Sequence, residues 1–160
     1  MKTESGKYNF IVTAKENRTA DHFSFDCKAT CIPIVSSTGH GHASIRRLHY
    51  VEGKFALANI MCAIIVKRED VLIPKYLFYI LSAMKDEVIS SLMTGTSNVS
   101  LNKNDLYDIE IPLPKINEQL KFVKSQDIYN QKVMKYYNEI TNIEKILLDK
   151  SKGFWKKKTY

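Results

Sequence analysis

Short runs of apolar residues separated by polar turns fill the first part of the chain, a pattern typical of strands. Residues 8–14 are rich in β-branched and aromatic side chains and predict a first strand. Residues 23–26 and 29–35 predict a hairpin or a pair of strands, and residues 54–66 predict one or two buried strands. We therefore expect the first part of the chain to be rich in strands.

Residues 43–51 alternate and predict a further strand. One face would carry Ser44, Arg46, Leu48 and Tyr50, and the other Ile45, Arg47 and His49. Arg46 and Arg47 would then point in opposite directions. At most one of these two arginines would serve the same surface as the loop that precedes the strand.

Beyond Pro74 the spacing of apolar residues becomes helical. Positions 77, 81, 84, 88 and 92 are apolar, as in an amphipathic helix that has proline in its first turn. Asn102 can cap a short helix that runs to Tyr107. Residues 109–112 predict a closing strand.

The last part of the chain predicts one long helix. Residues 118–150 contain neither proline nor glycine and would extend about 50 Å at 1.5 Å per residue. Apolar and aromatic residues recur in steps of three and four after one step of seven, in which polar Gln126 takes the skipped position, as along the seam of a coiled coil. They are Phe122, Tyr129, Val133, Tyr136, Ile140, Ile143 and Leu147. We expect this helix to project and to pack against a second helix. A helix folded back on its own domain is the alternative.

These elements together predict an α+β fold with three parts. Residues 1–115 would form a mixed, mainly antiparallel, strand-rich domain with a short helical region. Residues 116–150 would form the long projecting coiled-coil helix, and residues 151–160 a basic tail.

Composition and charge narrow the classes of function. The hydrophobic share of 44% and the charged share of 26% are ordinary for a soluble globular protein, and no apolar run is long enough to span a bilayer. Three cysteines without a disulfide-framework spacing, and a start without an apolar segment, predict reduced thiols and a cytoplasmic location. The net charge of +7 and the pI of about 9.2 make nucleic acid a sensible partner. A basic surface can also serve solubility alone.

The stretch at residues 36–47, SSTGHGHASIRR, combines glycines, histidines, hydroxyls and arginines. Zinc is one hypothesis, because Cys27, Cys31, His40 and His42 are possible ligands. Their spacing is not that of a standard zinc finger, and both cysteines lie among apolar residues, where cysteine commonly behaves as a small hydrophobe. We therefore expect no metal site.

Catalysis is a second hypothesis for this stretch, since serines and histidines occur together in it. The sequence has no nucleophile elbow, no phosphate-binding loop and no dinucleotide-binding motif, so we expect no catalytic residues. Contact with DNA is the third hypothesis, because glycines allow a close backbone approach and hydroxyls and arginines bind phosphates and base edges. From the residues alone, DNA contact and an ordinary solvated loop are equally supported.

Residues 111–119, IPLPKINEQ, stand directly before the predicted long helix and close the stretch LMTGTSNVSLNKNDLYDIEIPLPKINEQ. Earlier stretches are GKYNFIVTAKENRTADHFSFD and ATCIPIVSSTGHGHASIRRLHYVEGKFALANI. Together they resemble the target recognition domain of specificity subunits from type I restriction–modification systems. In that family a segment ending in I-P-L-P-x-x-x-E-Q commonly leads into a long conserved helix. The resemblance covers residues 6–148.

The resemblance implies a DNA-reading component without catalysis of its own. It would bind one half of a bipartite site in double-stranded DNA and would dock methyltransferase subunits through the long helix. S-adenosylmethionine would be bound by those methyltransferase subunits, and ATP-dependent cleavage would belong to a further restriction subunit. No cofactor is expected on this chain.

The candidate DNA contacts fall into three groups of polar and basic residues. They are Lys15, Asn17 and Arg18 in a first loop, Ser37, Thr38, His40 and His42 in a second loop with Arg46 beside it, and Ser97, Asn98 and Lys103 near the short helix.

The sequence departs from the family pattern in two respects. A full specificity subunit has two recognition domains and two conserved helices, whereas this chain has one of each. It could be a half-subunit that forms a homodimer through the long helix, a fragment, or the recognition domain of a fused restriction–methyltransferase enzyme. The chain also begins inside the family pattern, and Asn9 stands where we would expect proline.

Two rival functions come from other classes. A protein-interaction module could assemble a complex through the helix while DNA is contacted elsewhere. A metal-dependent nuclease is less well supported, because no cluster of carboxylates and lysine typical of nucleases is evident in the sequence.

Overall fold

The computed structural model of the chain describes residues 2–3, 6–14, 18–37, 43–96 and 99–156, with side chains between residues 6 and 152. The chain divides into two compact units, Met1–Leu120 and Lys121–Tyr160. Strands and helices are both present, which confirms the predicted α+β class.

Short strands make up most of the regular structure of the first unit. In chain order they are β1 (Lys2–Thr3), β2 (Tyr8–Ile11), β3 (Arg18–Ala20), β4 (Phe25–Asp26), β5 (Ala29–Pro33), β6 (His49–Val51), β7 (Lys54–Leu57), β8 (Met61–Ile64), β9 (Met93–Thr94) and β10 (Ser100–Leu101). Helix α1 (Pro74–Met84) continues into a π-helical turn (Lys85–Ile89) and a 3-10 turn (Ser90–Leu92), and a 3-10 helix (Lys103–Asp108) follows β10. Helix α2 (Ile116–Lys156) is the last element.

The strands form two sheets and a hairpin. The larger sheet has the order β1-β3-β2-β7-β4 and is antiparallel except where β2 runs parallel to β7, with Asn9 opposite Phe55. The smaller sheet has the order β6-β5-β8 and is antiparallel, as is the β9–β10 hairpin. The sequence ATCIP forms β5, the central strand, and all five residues are buried because strands and helix cover both faces.

Two clusters of buried side chains form the core of the first unit. One lies around Phe55 and includes Cys31 and Met61. The larger one joins Ile32 of β5 to Leu77 and Leu81 of α1. Helix α1 begins with proline at its first position, as the sequence predicts, because proline lacks the N–H that a first turn leaves unpaired.

One strand predicted from the sequence is shorter than expected, and another is absent. Residues 43–48 have no regular structure, and only His49–Val51 of the predicted strand pairs with β5. Ile45 and Leu48 are both buried although they stand three residues apart, a spacing that a strand would put on opposite faces. Residues 109–112 form no strand either. Pro112 lacks an N–H for a ladder, and its carbonyl instead accepts from the Tyr76 hydroxyl at 3.0 Å.

The predicted cap of the short helix is confirmed. The Asn102 side-chain oxygen accepts from the Asn104 N–H at 3.1 Å, and the 3-10 helix follows at once. Within the described part of the chain, no helix is long and apolar enough to cross a membrane.

A fully buried glutamine holds the beginning of α2. The Gln119 side-chain oxygen accepts from the Ile73 N–H at 2.9 Å, and its amide nitrogen donates to the carbonyls of Val71 and Pro114 at 2.9 and 2.8 Å. One side chain therefore joins α2 to the turn before α1 and to the proline-rich segment. The adjacent Glu118 accepts from the Lys115 N–H at 3.1 Å, as in the return bond of a capping box.

Replacing Gln119 by leucine should destabilise the first unit by on the order of 3 kcal/mol. The change leaves the Ile73 N–H and the carbonyls of Val71 and Pro114, all in part-buried bonds, without this partner, and an unsatisfied group shielded from water costs about 1–3 kcal/mol. Urea-induced unfolding followed by near-UV circular dichroism measures the loss. Gln131→Leu, the same change at an exposed position of α2, is the matched control and should shift stability by less than about 0.5 kcal/mol. Equal effects of the two changes would contradict the role given to Gln119.

Candidate nucleic-acid interface

Three serines close the base of the second candidate loop. The Ser37 N–H and hydroxyl both donate to the Ser44 carbonyl, at 2.8 and 3.0 Å. The Ser44 N–H donates to the Ser36 hydroxyl oxygen at 3.1 Å. Because these bonds join the two described ends of the loop, we call this group, Ser36, Ser37 and Ser44, the serine clasp.

The serine clasp lies beside the β9–β10 hairpin. The Ser36 N–H donates to the Val99 carbonyl and the Leu101 N–H to the Ile34 carbonyl, both at 2.9 Å, and Val35 is opposite Ser100. The described segments that precede 38–42 and follow 97–98 are therefore paired with each other. Two of the three predicted loops share one base.

Arg46 lies next to the serine clasp, on a segment whose backbone is fixed by buried neighbours. Its neighbour Ile45 is 1% exposed and Leu48 is 6% exposed, so their burial fixes the segment between them. Arg46 itself is exposed, and within the described residues no carboxylate lies within ion-pair distance of it. An exposed, unpaired guanidinium can bind a phosphate or the acceptor edge of guanine.

Arg18 belongs to a different place in the first unit. It lies on β3, opposite Phe10, and lines a cleft of about 220 Å³ between the larger sheet and β6. Asn9 and His49 line the same cleft. Burial and the nearby positive charge of Arg47 lower the pKa of His49, although a hydrogen bond to the Val12 backbone opposes this shift. The imidazole is therefore neutral at pH 7.

Lys103 lies apart from Arg18, at the start of the 3-10 helix and against β8. Burial raises the pKa of the Cys62 thiol, and the positive charge of Lys103 opposes that rise, which places Lys103 near this cysteine. The structure thus brings Ser37 and Arg46 together and puts Arg18 and Lys103 at separate positions. The remaining candidates, Lys15, Asn17, Thr38, His40, His42, Ser97 and Asn98, lie outside the described residues.

Sequence reasoning did not select Asn9 and His49, which share the cleft with Arg18, or Lys67, which lies near Lys103. His49 falls within the alternating stretch at residues 43–51. The pattern of that stretch predicted a strand and gave no sign of a cleft. Lys67 follows β8 in a polar turn, and only its position in the fold distinguishes it from other exposed lysines.

The two cysteines of the zinc hypothesis are poor ligands as they stand. Cys31 is fully buried on β5, and burial raises the pKa of its thiol to about 12. Burial also raises the pKa of Cys27. Metals bind the thiolate form, which these shifts disfavour. Among the described residues no group of three or more histidine, cysteine or acidic side chains could hold a metal ion, and His40 and His42 lie outside them.

The seam residues of the last part of the chain all lie on the continuous helix α2. At 100° per residue, they fall within one sector of the helix. Phe122 is partly buried, and the other six expose more than half of their surface: Tyr129, Val133, Tyr136, Ile140, Ile143 and Leu147. Pairing of this seam with a second helix stays a prediction.

Comparisons with known proteins find one family and a related fold. The family model described as type I restriction modification DNA specificity domain matches residues 1–146. A crystal structure of a type I restriction-modification system S subunit from M. genitalium matches with a TM-score of 0.67 and 19% sequence identity over 83% of this chain. The match covers 34% of that S subunit, so the chain spans about a third of its length. No curated protein sequence matches.

Removing one hydroxyl should open the serine clasp selectively. In Ser36→Ala the Ser44 N–H loses its acceptor, and its hydrogen exchange, measured by NMR, should accelerate about fivefold, as expected for a bond worth about 1 kcal/mol. The Ser37 N–H keeps its bond to the Ser44 carbonyl and should keep its protection. Ser91→Ala, which removes a hydroxyl bonded to the Val88 carbonyl, is the control. Unchanged exchange at Ser44 in Ser36→Ala would rule out the clasp.

Proposed function

Because the chain belongs to the type I restriction modification DNA specificity domain family, we propose that it selects the DNA sequence on which a restriction–modification complex acts. The family match over residues 1–146 is the observation that carries this proposal. The fold shared with a type I S subunit supports it. Catalysis would lie in partner subunits, which would bind S-adenosylmethionine and ATP.

We propose that the first unit reads one half-site through the loops at the serine clasp. Two candidate loops begin from this one hydrogen-bonded base, so they can approach a single stretch of DNA together. Arg46 beside them offers an unpaired cation. Hydroxyls and arginines of this kind bind phosphates, which sets the position of the protein on the duplex. They also bind base edges, which determines sequence specificity.

We propose that α2 serves assembly. Its exposed seam would pair with the α2 of a second copy, so that the homodimer binds two half-sites related by twofold symmetry. Methyltransferase subunits would dock on the same helical part of the complex. Two copies of one recognition unit and one long helix would then fulfil the role of a subunit with two of each.

DNA binding by the chain should be steeply salt-dependent and should weaken in Arg46→Ala. Fluorescence anisotropy with a mixed-sequence 24-base-pair duplex over a series of NaCl concentrations measures both. Loss of one phosphate contact lowers the slope of log K against log salt by about 0.9, which is roughly a five- to tenfold loss of affinity at 0.1 M salt.

Arg68→Ala is the matched control for Arg46→Ala. It removes the same charge from an exposed arginine whose guanidinium is already paired with Asp70 at 2.6 Å, so it should leave DNA binding nearly unchanged. If both variants lose affinity equally, the effect is one of net charge and the contact by Arg46 is wrong. A flat salt dependence of the unaltered chain would refute DNA binding by this unit.

A charge on the α2 seam should abolish self-association or methyltransferase docking. Ile140→Lys puts an ammonium group in the seam, whereas Asn138→Lys adds the same charge about 200° around the helix. Size-exclusion chromatography with light scattering, alone and with the cognate methyltransferase subunit, separates the two effects. DNA methylated in cells by the unaltered complex should show a symmetric two-part sequence, and Ile140→Lys should remove it. A persistent dimer with docking intact in Ile140→Lys would exclude this use of α2.

A further inference from the structure

A groove of about 340 Å³ runs between strand β8 and the 3-10 helix that follows β10. We call it the β8 groove; its lining includes Cys62 and Ile65 on one side and Lys103 and Tyr107 on the other, with Lys67 in the turn after β8. In the described part of the smaller sheet, β8 is an edge strand, so one side of its backbone has no strand partner. Edge strands are places where a protein sheet is open to contact with another molecule.

The charged side chains that line the β8 groove are both cations. Lys67 and Lys103 are exposed, and among the described residues neither lies within ion-pair distance of a carboxylate. The adjacent cation, Arg68, differs from Lys67 because it forms an ion pair with Asp70 at 2.6 Å. Lys28, on the turn before β5, is likewise paired with Glu69 at 2.7 Å. The fold thus neutralises the neighbours of Lys67 and leaves the two groove lysines available.

The groove also presents an aromatic side chain to solvent. Tyr107 is 87% exposed, and Ile65 across the groove is 44% exposed. No carboxylate side chain lines the groove within the residues that the structure describes. Two ammonium groups and a phenol hydroxyl supply hydrogen-bond donors, and an aromatic ring can pack against a sugar.

The β8 groove is connected through the strands to the serine clasp. Cys62 is opposite Ile32 on β5, and β5 leads through Ile34 to Ser36. On the other side, Leu101 pairs with Ile34, and Lys103 follows two residues later. At about 3.3 Å per residue, the groove and the serine clasp are separated by roughly 13 Å along the strand, which is about four base pairs of duplex DNA at 3.4 Å each.

We propose that the β8 groove binds the sugar–phosphate backbone of DNA next to the bases that the loops read. This inference rests on the proposed function and extends it to a surface outside the loops. Lys67 and Lys103 hold phosphates, and Tyr107 packs against the backbone between them. Such contacts set the position of the domain on the duplex and carry no base preference.

Lys67→Ala and Lys103→Ala, singly and together, test this role in the full chain. With the mixed-sequence 24-base-pair duplex, each substitution should lower the salt slope by about 0.9 and the affinity roughly five- to tenfold at 0.1 M salt. The double variant should show both losses. Lys67→Arg with Lys103→Arg keeps the charges and should restore most of the affinity. The sequence methylated in cells by the complex should stay the same, because the loops are unaltered.

Arg68→Ala is again the matched control, since it removes one charge beside Lys67 from an existing ion pair. If Lys67→Ala with Lys103→Ala binds DNA as Arg68→Ala does, while Arg46→Ala binds more weakly, the inference is overturned and the proposed function stands. If the unaltered chain shows no salt-dependent DNA binding, both are overturned. If the double variant keeps its DNA affinity and loses the methyltransferase subunit, the groove is a protein-docking surface and the inference is wrong. Circular dichroism of each variant shows whether it has folded.

Discussion

The first unit depends on the hydrogen bonds of one buried amide. Gln119 supplies one acceptor and two donors to three part-buried backbone groups, which would otherwise lack this partner. Leucine cannot make these bonds, and glutamate lacks the donors. The segment IPLPKINEQ therefore has structural roles: the carbonyls of Pro112 and Pro114 accept from Tyr76 and Gln119, and Glu118 caps the helix. These hydrogen bonds join the proline-rich segment and the turn before α1 to the beginning of α2.

The parts of the fold that follow from local pattern were predictable, and those that follow from distant partners were not. Helix α2 was foreseen because its residues are good helix formers without proline or glycine. The stretch at residues 43–51 was predicted as a longer strand than the structure contains. An alternating segment forms a strand only where a neighbouring strand is hydrogen-bonded to it, and β5 pairs with this segment only from His49 onward. The segment at residues 109–112 looked like a strand, but Ile109 and Ile111 pack on the core without strand pairing.

The candidate interface shows the same division. Glycines, hydroxyls and arginines in SSTGHGHASIRR identified a loop of chemical interest from its residues alone. The hydrogen bond between the base of this loop and Val99 could not be deduced from the sequence, because it joins backbone groups that are far apart in sequence. Whether a surface cation is available also depends on the fold: Arg68 and Lys67 are adjacent in sequence, and within the described residues only Arg68 has a carboxylate partner.

The parallel pairing of β2 with β7 has a consequence for how the chain becomes ordered. Asn9 reaches Phe55 only after the intervening segments, including β5 and β6, have been made. Closing so long a loop costs conformational entropy before any stabilising contact has formed. Non-local strand pairs of this kind therefore slow folding. During synthesis β2 leaves the ribosome without its parallel neighbour, with only the short antiparallel strand β3 following soon after. The middle of the larger sheet is thus completed late, and its strand edges are most exposed to wrong partners while the protein is still being made.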